Sequence, residues 1–189
     1  MQDSLLERFA GIDRLYGRGA VAWLSQRRVA VVGLGGVGSW VVEALARSAV
    51  GRIDMIDADD LCVSNTNRQL PAIAGQYGRN KAEAMAERAR AINPGIDARP
   101  VASFLTGSNL EDLLGEGYDL VVDAFDSFRA KVETIAWCRR GKQPHLSVGP
   151  ARGRPRPSRG GARGTVRQGA PPRPAPPRPR AAARNRSPR

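Results

Sequence analysis

The sequence predicts an α/β fold built on a doubly wound, mainly parallel, Rossmann-like sheet. Short runs rich in β-branched residues alternate with helical patterns through the first 149 residues, a glycine-rich turn joins the first run to a helix, and several runs lead into a carboxylate. Alternation of this kind is typical of parallel sheets covered on both faces. Because it stops after His145–Val148, we expect a sheet that is incomplete on its C-terminal side.

Two short helices are expected before the sheet. Leu5–Tyr16 carries apolar residues near one face, as an amphipathic helix does, and Ala20–Ser25 is a second helical stretch. Arg28–Val32 is short and β-branched, which predicts a buried first strand. Ser39–Ala46 then repeats apolar residues at helical spacing, and Arg52–Asp57 is a second strand that ends on an acid.

The remaining elements continue the alternation as far as the predicted fifth strand. In chain order they are the helix Asn80–Ile92, the weak strand Ile96–Val101 interrupted by Pro100, the short helix Leu110–Leu114, the strand Asp119–Ala124, the helix Ala130–Arg140 and the strand His145–Val148.

A glycine-rich run lies between the first strand and its helix: Gly33-Leu34-Gly35-Gly36-Val37-Gly38. In such a turn the first glycine permits a tight reversal, the second lets phosphate approach the backbone, and the third lets the helix pack on the strand. Gly33, Gly35 and Gly38 occupy these places. Asp57 ends the second strand where an acid commonly accepts a ribose hydroxyl. These features predict a nucleotide-binding fold and leave the cofactor open.

Further polar residues extend the predicted site. The segment after the second strand contains Asn65 and Arg68 and has little that could form a strand, so we expect a loop that delivers side chains to a ligand. Arg79 and Lys81 lie at the start of the next helix, where the helix dipole disfavours a cation by roughly 0.3–1 kcal/mol. An anionic ligand would offset that cost. The alternative is a pair of solvated surface cations.

Asp126 follows the strand Asp119–Ala124. Ligands of open α/β sheets bind outside the carboxyl ends of the strands, so we expect Asp126 to face the glycine loop and to bind a metal ion. Asp126 or Ser127 could instead cap the next helix. With Arg68 and Lys81, such a carboxylate favours ATP over NAD, because an NAD site would leave these residues unexplained.

The combined pattern resembles the adenylyltransferases of ubiquitin-activating type, and within them the tRNA threonylcarbamoyladenosine dehydratases. The resemblance covers roughly residues 1–149. The sequence motif Asn65-Thr66-Asn67-Arg68-Gln69 favours the tRNA dehydratases over the relatives that activate sulfur carriers. The matching motifs are Arg8-Phe9, Arg14-Leu15-Tyr16-Gly17, Gly33–Ser39, Asp57–Asp59, Ser64–Gln69, Lys81, Ile92-Asn93-Pro94 and Asp123–Ser127.

The resemblance implies a role for each matched residue. Asp126 would help to place Mg²⁺. Arg14, with Arg8 as the second choice, would reach the phosphates of a neighbouring subunit, which implies a homodimer. The residues expected to bind ATP are Gly33, Gly35, Gly36, Gly38, Asp57, Asp59, Asn65, Arg68 and Lys81, and those expected to take part in the chemistry are Arg14, Arg68, Lys81 and Asp126.

The implied reaction is ATP-dependent adenylation of a carboxylate. In the tRNA dehydratases this carboxylate belongs to threonylcarbamoyladenosine in tRNA, and the carbamoyl group then closes a ring with loss of AMP. Three alternatives stay open. The first is an adenylyltransferase that activates the C-terminus of a small sulfur-carrier or ubiquitin-like protein, the second is an NAD-dependent oxidoreductase, and the third is a nucleotide-binding fragment without turnover.

All of the excess positive charge lies in the last 40 residues. Residues 150–189 contain twelve arginines, ten of the 14 prolines and no Lys, Asp or Glu, while the net charge of the whole chain is +12. This composition predicts a disordered, low-complexity tail after a domain at 1–149. It is either an arm that binds RNA phosphates without sequence preference or the product of a frameshifted or truncated C-terminus.

The remaining features favour a cytoplasmic protein. Cys62 and Cys138 lie far apart with no Cys-x-x-Cys motif, so neither a zinc site nor a disulfide framework is expected, and no run has the length of a signal peptide core or a membrane span. His145 has no partner cluster in the sequence and is expected to be structural. The aromatic residues expected in the core or at an interface are Trp23, Trp40 and Trp137.

Overall fold

The computed structural model describes residues 2–149; the predicted tail at 150–189 lies outside the described residues. A 3-10 turn lies at Val63–Asn65. The elements are α1 (Gln2–Tyr16), α2 (Ala20–Leu24), β1 (Arg28–Val32), α3 (Gly38–Arg47), β2 (Arg52–Ile56), α4 (Lys81–Ile92), β3 (Asp97–Val101), α5 (Leu110–Leu114), β4 (Leu120–Asp123), α6 (Phe128–Arg140) and β5 (His145–Ser147).

The strands form one parallel sheet in the order β3-β2-β1-β4-β5. Val32 at the end of β1 is in register with Ile56 on one side and with Asp123 on the other. The chain moves outward from β1 to β3 and then returns to place β4 on the other side of β1. The loops after β1 and β4 therefore meet at the switch point of the sheet, where open α/β sheets bind ligands. The predicted fold class is confirmed.

Apolar side chains bury both faces of the sheet. On one face, α3 and α4 contribute Val42 and Met85 to the core. On the other, α5 and α6 contribute Leu114 and Cys138. Full burial of one such aliphatic side chain stabilises the fold by about 1.5–3 kcal/mol. Burial also raises the pKa of the Cys138 thiol to about 11, which suits a packing role.

The amino-terminal helices pack beside the C-terminal end of α3. Phe9 of α1 and Val21 of α2 form a small cluster with Ala49, just beyond the C-terminal end of α3. The amide of Val21 donates to the Asp13 carboxylate at 2.9 Å, which holds α2 against the end of α1. These helices therefore lie at the far end of α3 from the glycine loop.

Local capping explains where the elements begin. β1 and α5 have the predicted bounds. Asn80 is the N-cap of α4 and accepts from the amides of Ala82 and Glu83, so the helix begins one residue later than predicted. Ser127 caps α6 in the same way, which settles the choice between Asp126 and Ser127 as the capping residue.

Two of the three tryptophans do not lie in the core. Trp23 and Trp40 are 58% and 57% exposed, so the prediction of a core position is wrong for both. Arg27 stacks on the Trp23 ring at 4.5 Å. The indole nitrogen of Trp40 donates to the carbonyl oxygen of Arg68 at 3.1 Å. An interface position for these rings stays a prediction.

A polar network joins β2 to the loop before β4. Arg52 donates to both carboxylate oxygens of Asp54, at 2.7 and 2.6 Å, and the Tyr118 hydroxyl donates to the same carboxylate at 2.6 Å. Burial opposes ionisation of Asp54, but the hydrogen bonds from Arg52 and Tyr118 outweigh it and hold its pKa below the ordinary value. Asp54 is therefore ionised in the folded protein at neutral pH.

Asp54→Asn should lower the free energy of unfolding by about 3 kcal/mol at neutral pH, because it leaves the largely buried Arg52 guanidinium with only the exposed Glu116 as its close counter-charge. The pKa of Asp54 is lower in the folded than in the unfolded chain, so its contribution is present above the ordinary value of 3.8 and is lost as the pH falls through the folded pKa. Urea unfolding at a series of pH values should show the two proteins converging below about pH 4.

Glu87→Gln is the control, since the Glu87 side chain is 64% exposed in its pair with Arg79 and does not contact this network. It should change stability by less than about 1 kcal/mol. Equal losses in the two variants would contradict the network.

Candidate functional site

A cavity of about 240 Å³ opens at the switch point. The glycine loop, the end of β2, the segment after β3 and the loop between β4 and α6 form its walls. Gly33, Asp57, Asp59 and Asp126 are predicted site residues that line it. A larger and more open groove of about 760 Å³ runs between α6 and the segment after β3, but none of the predicted nucleotide ligands lines it.

Two glycines are required by the close approach of backbone segments. Gly33 has φ of +84°, and a Cβ placed on it would lie 2.8 Å from the backbone nitrogen of Phe125. A Cβ on Gly38 would lie 1.8 Å from the carbonyl oxygen of Gly33. The predictions of a tight reversal at Gly33 and of close helix packing at Gly38 are therefore confirmed.

The glycine loop presents backbone donors at the start of α3. Within residues 2–149, the amides of Gly35, Gly36 and Val37 donate to no protein acceptor, and α3 has no side-chain cap. The free amides and the positive end of the helix dipole together form an arrangement that favours an anion. Such a loop suits a phosphate group.

Asp57 links the glycine loop to the end of β2. Its carboxylate accepts from the amide of Leu34 at 2.6 Å and from the amide of Asp59 at 2.9 Å. A carboxylate has about four acceptor positions, so Asp57 can still accept a hydroxyl from a ligand in the cavity. The geometry fits a ribose acceptor.

Lys81 is buried at the first position of α4, with 6% of its surface exposed. Its ammonium donates to the Asp59 carboxylate at 2.7 Å. The electrostatic cost of a cation at this helix start is thus offset within the chain. A phosphate here would compete with Asp59 for the Lys81 ammonium.

Arg68 lies on the other side of the glycine loop. A Cβ on Gly36 would lie 3.2 Å from the Arg68 Cγ, so the side-chain stem covers this glycine. The guanidinium donates to the Ser64 carbonyl at 3.1 Å and to the Asn67 side chain at 3.0 Å. Among the residues that the structure describes, no carboxylate pairs with Arg68. Its charge remains available to a ligand.

Asn65 shapes the loop that carries Arg68. It is 9% exposed, and its side-chain oxygen accepts from the amide of Cys62 at 3.0 Å. This bond closes the 3-10 turn. The predicted contact between Asn65 and phosphate stays a prediction.

Asp126 is exposed at the wall of the cavity. In the described part of the chain its carboxylate accepts no hydrogen bond, and no cluster of three His, Cys, Asp or Glu side chains there could hold a metal alone. Magnesium is commonly bound by one or two carboxylates together with substrate phosphates. Asp126 beside an anion-binding loop fits that arrangement.

The structure adds cavity residues that sequence reasoning missed. Ser103, Phe104 and Leu105 follow β3, and Phe125 precedes Asp126. The Phe104 residue is 64% exposed. The Asn109 side-chain amide donates a hydrogen bond to the Phe104 carbonyl oxygen at 2.9 Å. Their positions in the sequence could have predicted this, because residues that directly follow the carboxyl end of a parallel strand lie where such sheets bind ligands.

The arginines of α1 lie away from the cavity. Arg8 donates to the carbonyl of Ile92 at the C-terminal end of α4, at 3.2 Å. Arg14 is exposed near the end of α1. Neither side chain lines the cavity of its own chain. A role of Arg14 in a neighbouring subunit stays a prediction.

A nucleotide-binding α/β domain, with an anion-binding glycine loop and an exposed carboxylate on one cavity, is the class of protein that this fold and site define. The ThiF family model matches residues 10–173. The protein belongs to the ThiF family. This match extends past the predicted domain boundary at residue 149, and that boundary stays a prediction.

The chain is similar to tRNA threonylcarbamoyladenosine dehydratases. It is 46% identical over 156 residues to the enzyme of Haemophilus influenzae, covering 82% of this chain and 60% of that protein. The Escherichia coli dehydratase TcdA in complex with ATP has a TM-score of 0.80 and 47% identity, over 82% of this chain and 64% of that chain. The chain spans about 60% of the length of the curated dehydratase of Haemophilus influenzae.

A more distant similarity links the chain to the Escherichia coli molybdopterin-synthase adenylyltransferase, with 34% identity over 124 residues and coverage of 66% of this chain and 49% of that protein. The resemblance to this group of adenylyltransferases is confirmed. In residues 2–149, no helix combines the length and the apolar character that crossing a bilayer requires.

Gly38→Ala should destabilise the protein by about 3 kcal/mol, because the added methyl group meets the backbone of Gly33 and not a movable side chain. Gly11→Ala is the control: the nearest atom to its Cβ is the end of the Arg14 side chain at 3.9 Å, and alanine favours a helix by up to about 1 kcal/mol. Urea unfolding measures both. A Gly38→Ala variant as stable as the wild type would contradict the packing described for the loop.

Proposed function

We propose that the protein binds ATP at this cavity and uses it to adenylate the carboxylate of threonylcarbamoyladenosine in tRNA, which then cyclises by net dehydration. The observation that carries the proposal is that the free amides of the glycine loop and Arg68, whose stem covers Gly36, lie beside a cavity that Asp126 lines. The similarity to a dehydratase crystallised with ATP supports it.

Each site residue has a distinct role in this proposal. Asp57 accepts a ribose hydroxyl, while the amides of the glycine loop, Arg68 and Lys81 bind the phosphates. Phosphoryl-group chemistry depends mainly on positioning and charge stabilisation, so these donors act by holding the triphosphate in place. No nucleophilic side chain is needed for this step.

Asp126 would hold Mg²⁺ together with the phosphates. The ion supplies positive charge that favours departure of pyrophosphate. Asp126 supplies a fixed, exposed carboxylate at the cavity wall. Because the carboxylates of Asp57 and Asp126 line the same cavity, a triphosphate without a cation would meet negative charge there.

The acceptor is proposed from the similarities to named dehydratases. The chain spans about 60% of the length of one of them, so the acceptor is assigned from these similarities and the nucleotide site from the described residues. The similarity to a molybdopterin-synthase adenylyltransferase makes the C-terminus of a small carrier protein the second candidate. Both candidates use the same nucleotide residues.

The active form is proposed to be a cytoplasmic homodimer in which Arg14 contacts the phosphates bound by the neighbouring subunit. Leu15 and Tyr16, which follow Arg14, are 71% and 72% exposed. Trp40 and Val63, near Arg68, are 57% and 68% exposed. Contact between these two apolar surfaces would bury both and bring Arg14 toward the glycine loop.

Pyrophosphate release tests the reaction. The full chain is mixed with ATP and Mg²⁺, and with tRNA carrying threonylcarbamoyladenosine, unmodified tRNA or a sulfur-carrier protein. We expect release with the modified tRNA alone. Release with the carrier protein would favour the second candidate, and ATP binding without release would identify a fragment that binds nucleotide without turnover. Tight NADH binding with no binding of ATP would overturn the proposal.

Arg68→Ala should weaken ATP binding at least about 10-fold while changing AMP binding little, because a lost hydrogen bond to a charged group costs about 1.5–3 kcal/mol. Arg79→Ala is the control, since Arg79 pairs with Glu87 at 2.8 Å and should leave both affinities unchanged. Titration calorimetry measures the four dissociation constants. Equal losses for ATP and AMP would refute a contact with the outer phosphates.

A further inference from the structure

A buried ionic cluster lies directly behind the loop that carries Asp126. Asp123, at the end of β4, is fully buried and forms an ion pair with Lys131 of α6. The His145 side chain of β5 lies 2.7 Å from the other Asp123 carboxylate oxygen. The sequence-based view that His145 has no partners is therefore wrong, because its partners come from other elements of the sheet.

Lys131 connects three parts of the fold. Its ammonium pairs with Asp123, donates to the carbonyl oxygen of Val148 at 3.0 Å and lies within 3.3 Å of the Ser147 hydroxyl. It also lies 5.0 Å from the centre of the Phe125 ring, within the range of a cation–π contact. One side chain therefore ties α6 to β4, to the end of β5 and to an aromatic residue of the cavity wall.

The Asp123–Lys131 pair closes the loop between β4 and α6 at its base. The four residues of that loop, 124–127, include Phe125 and Asp126. The backbone of Phe125 in turn abuts Gly33, since a Cβ there would lie 2.8 Å from the Phe125 nitrogen. Contacts thus run without a gap from Lys131 through Phe125 to the glycine loop.

We infer that Lys131 is a positioning residue for the nucleotide site, one that holds the loop 124–127 so that Phe125 abuts Gly33 and Asp126 faces the cavity. The inference rests on the proposed function, in which Asp126 helps to bind Mg²⁺ with ATP. Lys131 acts through Asp123 and Phe125 and does not itself line the cavity.

Stability alone does not account for this arrangement. Replacing a buried ion pair by apolar residues of similar volume is often neutral or stabilising, so methionine could fill the space of Lys131. Methionine cannot supply directed donors to Asp123 and Val148. Burial, with the charges of Lys131 and Arg139, lowers the pKa of His145. His145 is therefore neutral at pH 7, and it remains as a partner for Asp123 in a variant without Lys131.

The test measures ATP affinity of the full chain by calorimetry, with and without Mg²⁺, for the wild type, Lys131→Met and the uncharged pair Asp123→Asn with Lys131→Met. Loss of a group that orients a metal ligand typically costs about 10–100-fold in metal affinity. The Mg²⁺ effect is the ratio of the ATP affinity with Mg²⁺ to the ATP affinity without it. We expect this ratio to be at least about 10-fold smaller in both variants than in the wild type. Metal-free affinity should change less than about 3-fold, and the double variant should unfold at the wild-type urea concentration.

Arg129→Met is the matched control, a change of cation to methionine on the same helix at a side chain that is 88% exposed. It should show the same increase in ATP affinity on adding Mg²⁺ as the wild type. The double variant Asp126→Asn with Lys131→Met should show the same Mg²⁺-dependent increase in ATP affinity as Asp126→Asn alone, because Lys131 acts through the loop that carries Asp126.

The outcomes separate this inference from the proposed function. A wild type that binds no ATP overturns both. If Mg²⁺ increases the ATP affinity of the wild type and of both Lys131 variants equally, the positioning role alone is overturned. Equal losses with and without Mg²⁺, or failure of both variants to fold, would assign Lys131 a structural role and overturn the inference as well.

Discussion

The close approach of two backbone loops at the switch point is the constraint on which the site depends. The turn at Gly33 touches the backbone of Phe125, and Gly38 touches the carbonyl of Gly33. Only residues without a side chain permit both contacts. Because the loops touch, Gly33 at the start of the glycine loop and the carboxylate of Asp126 line one cavity. The sheet supplies the platform, and the glycines bring its two halves together.

Much of the fold could be predicted from the sequence because local signals agreed with the packing. The run Arg28–Val32 is β-branched and buried, and Asn80 has the side chain that an N-cap requires. The partners of charged residues could not be predicted in this way. Lys81 pairs with Asp59 across 22 residues, and Asp123 meets His145 only because β4 and β5 are neighbours in the sheet. Such contacts depend on strand order and not on spacing along the chain.

Some charged residues near the cavity have a partner of opposite charge and others do not, and this difference indicates the charge of the ligand. Asp59 is neutralised by Lys81, whereas Arg68 has no carboxylate partner among the side chains that the structure describes. Asp57 is held by two backbone amides, and Asp126 faces the cavity. One side of the site is thus cationic and the other anionic. A polyanion with its own bound cation satisfies both sides at once, which a neutral or singly charged ligand would not.

The proline in β3 gives the two edges of the sheet different properties. Pro100 is in register with Met55 of β2 and has no N–H, so a strand of this kind is tolerated only where that position faces outward. The β3 edge is therefore a poor template for another strand, while the short β5 has no such block. Within residues 2–149, β5 is therefore the edge at which a further strand, from this chain or from a second molecule, could pair, and β3 is the edge that resists such pairing.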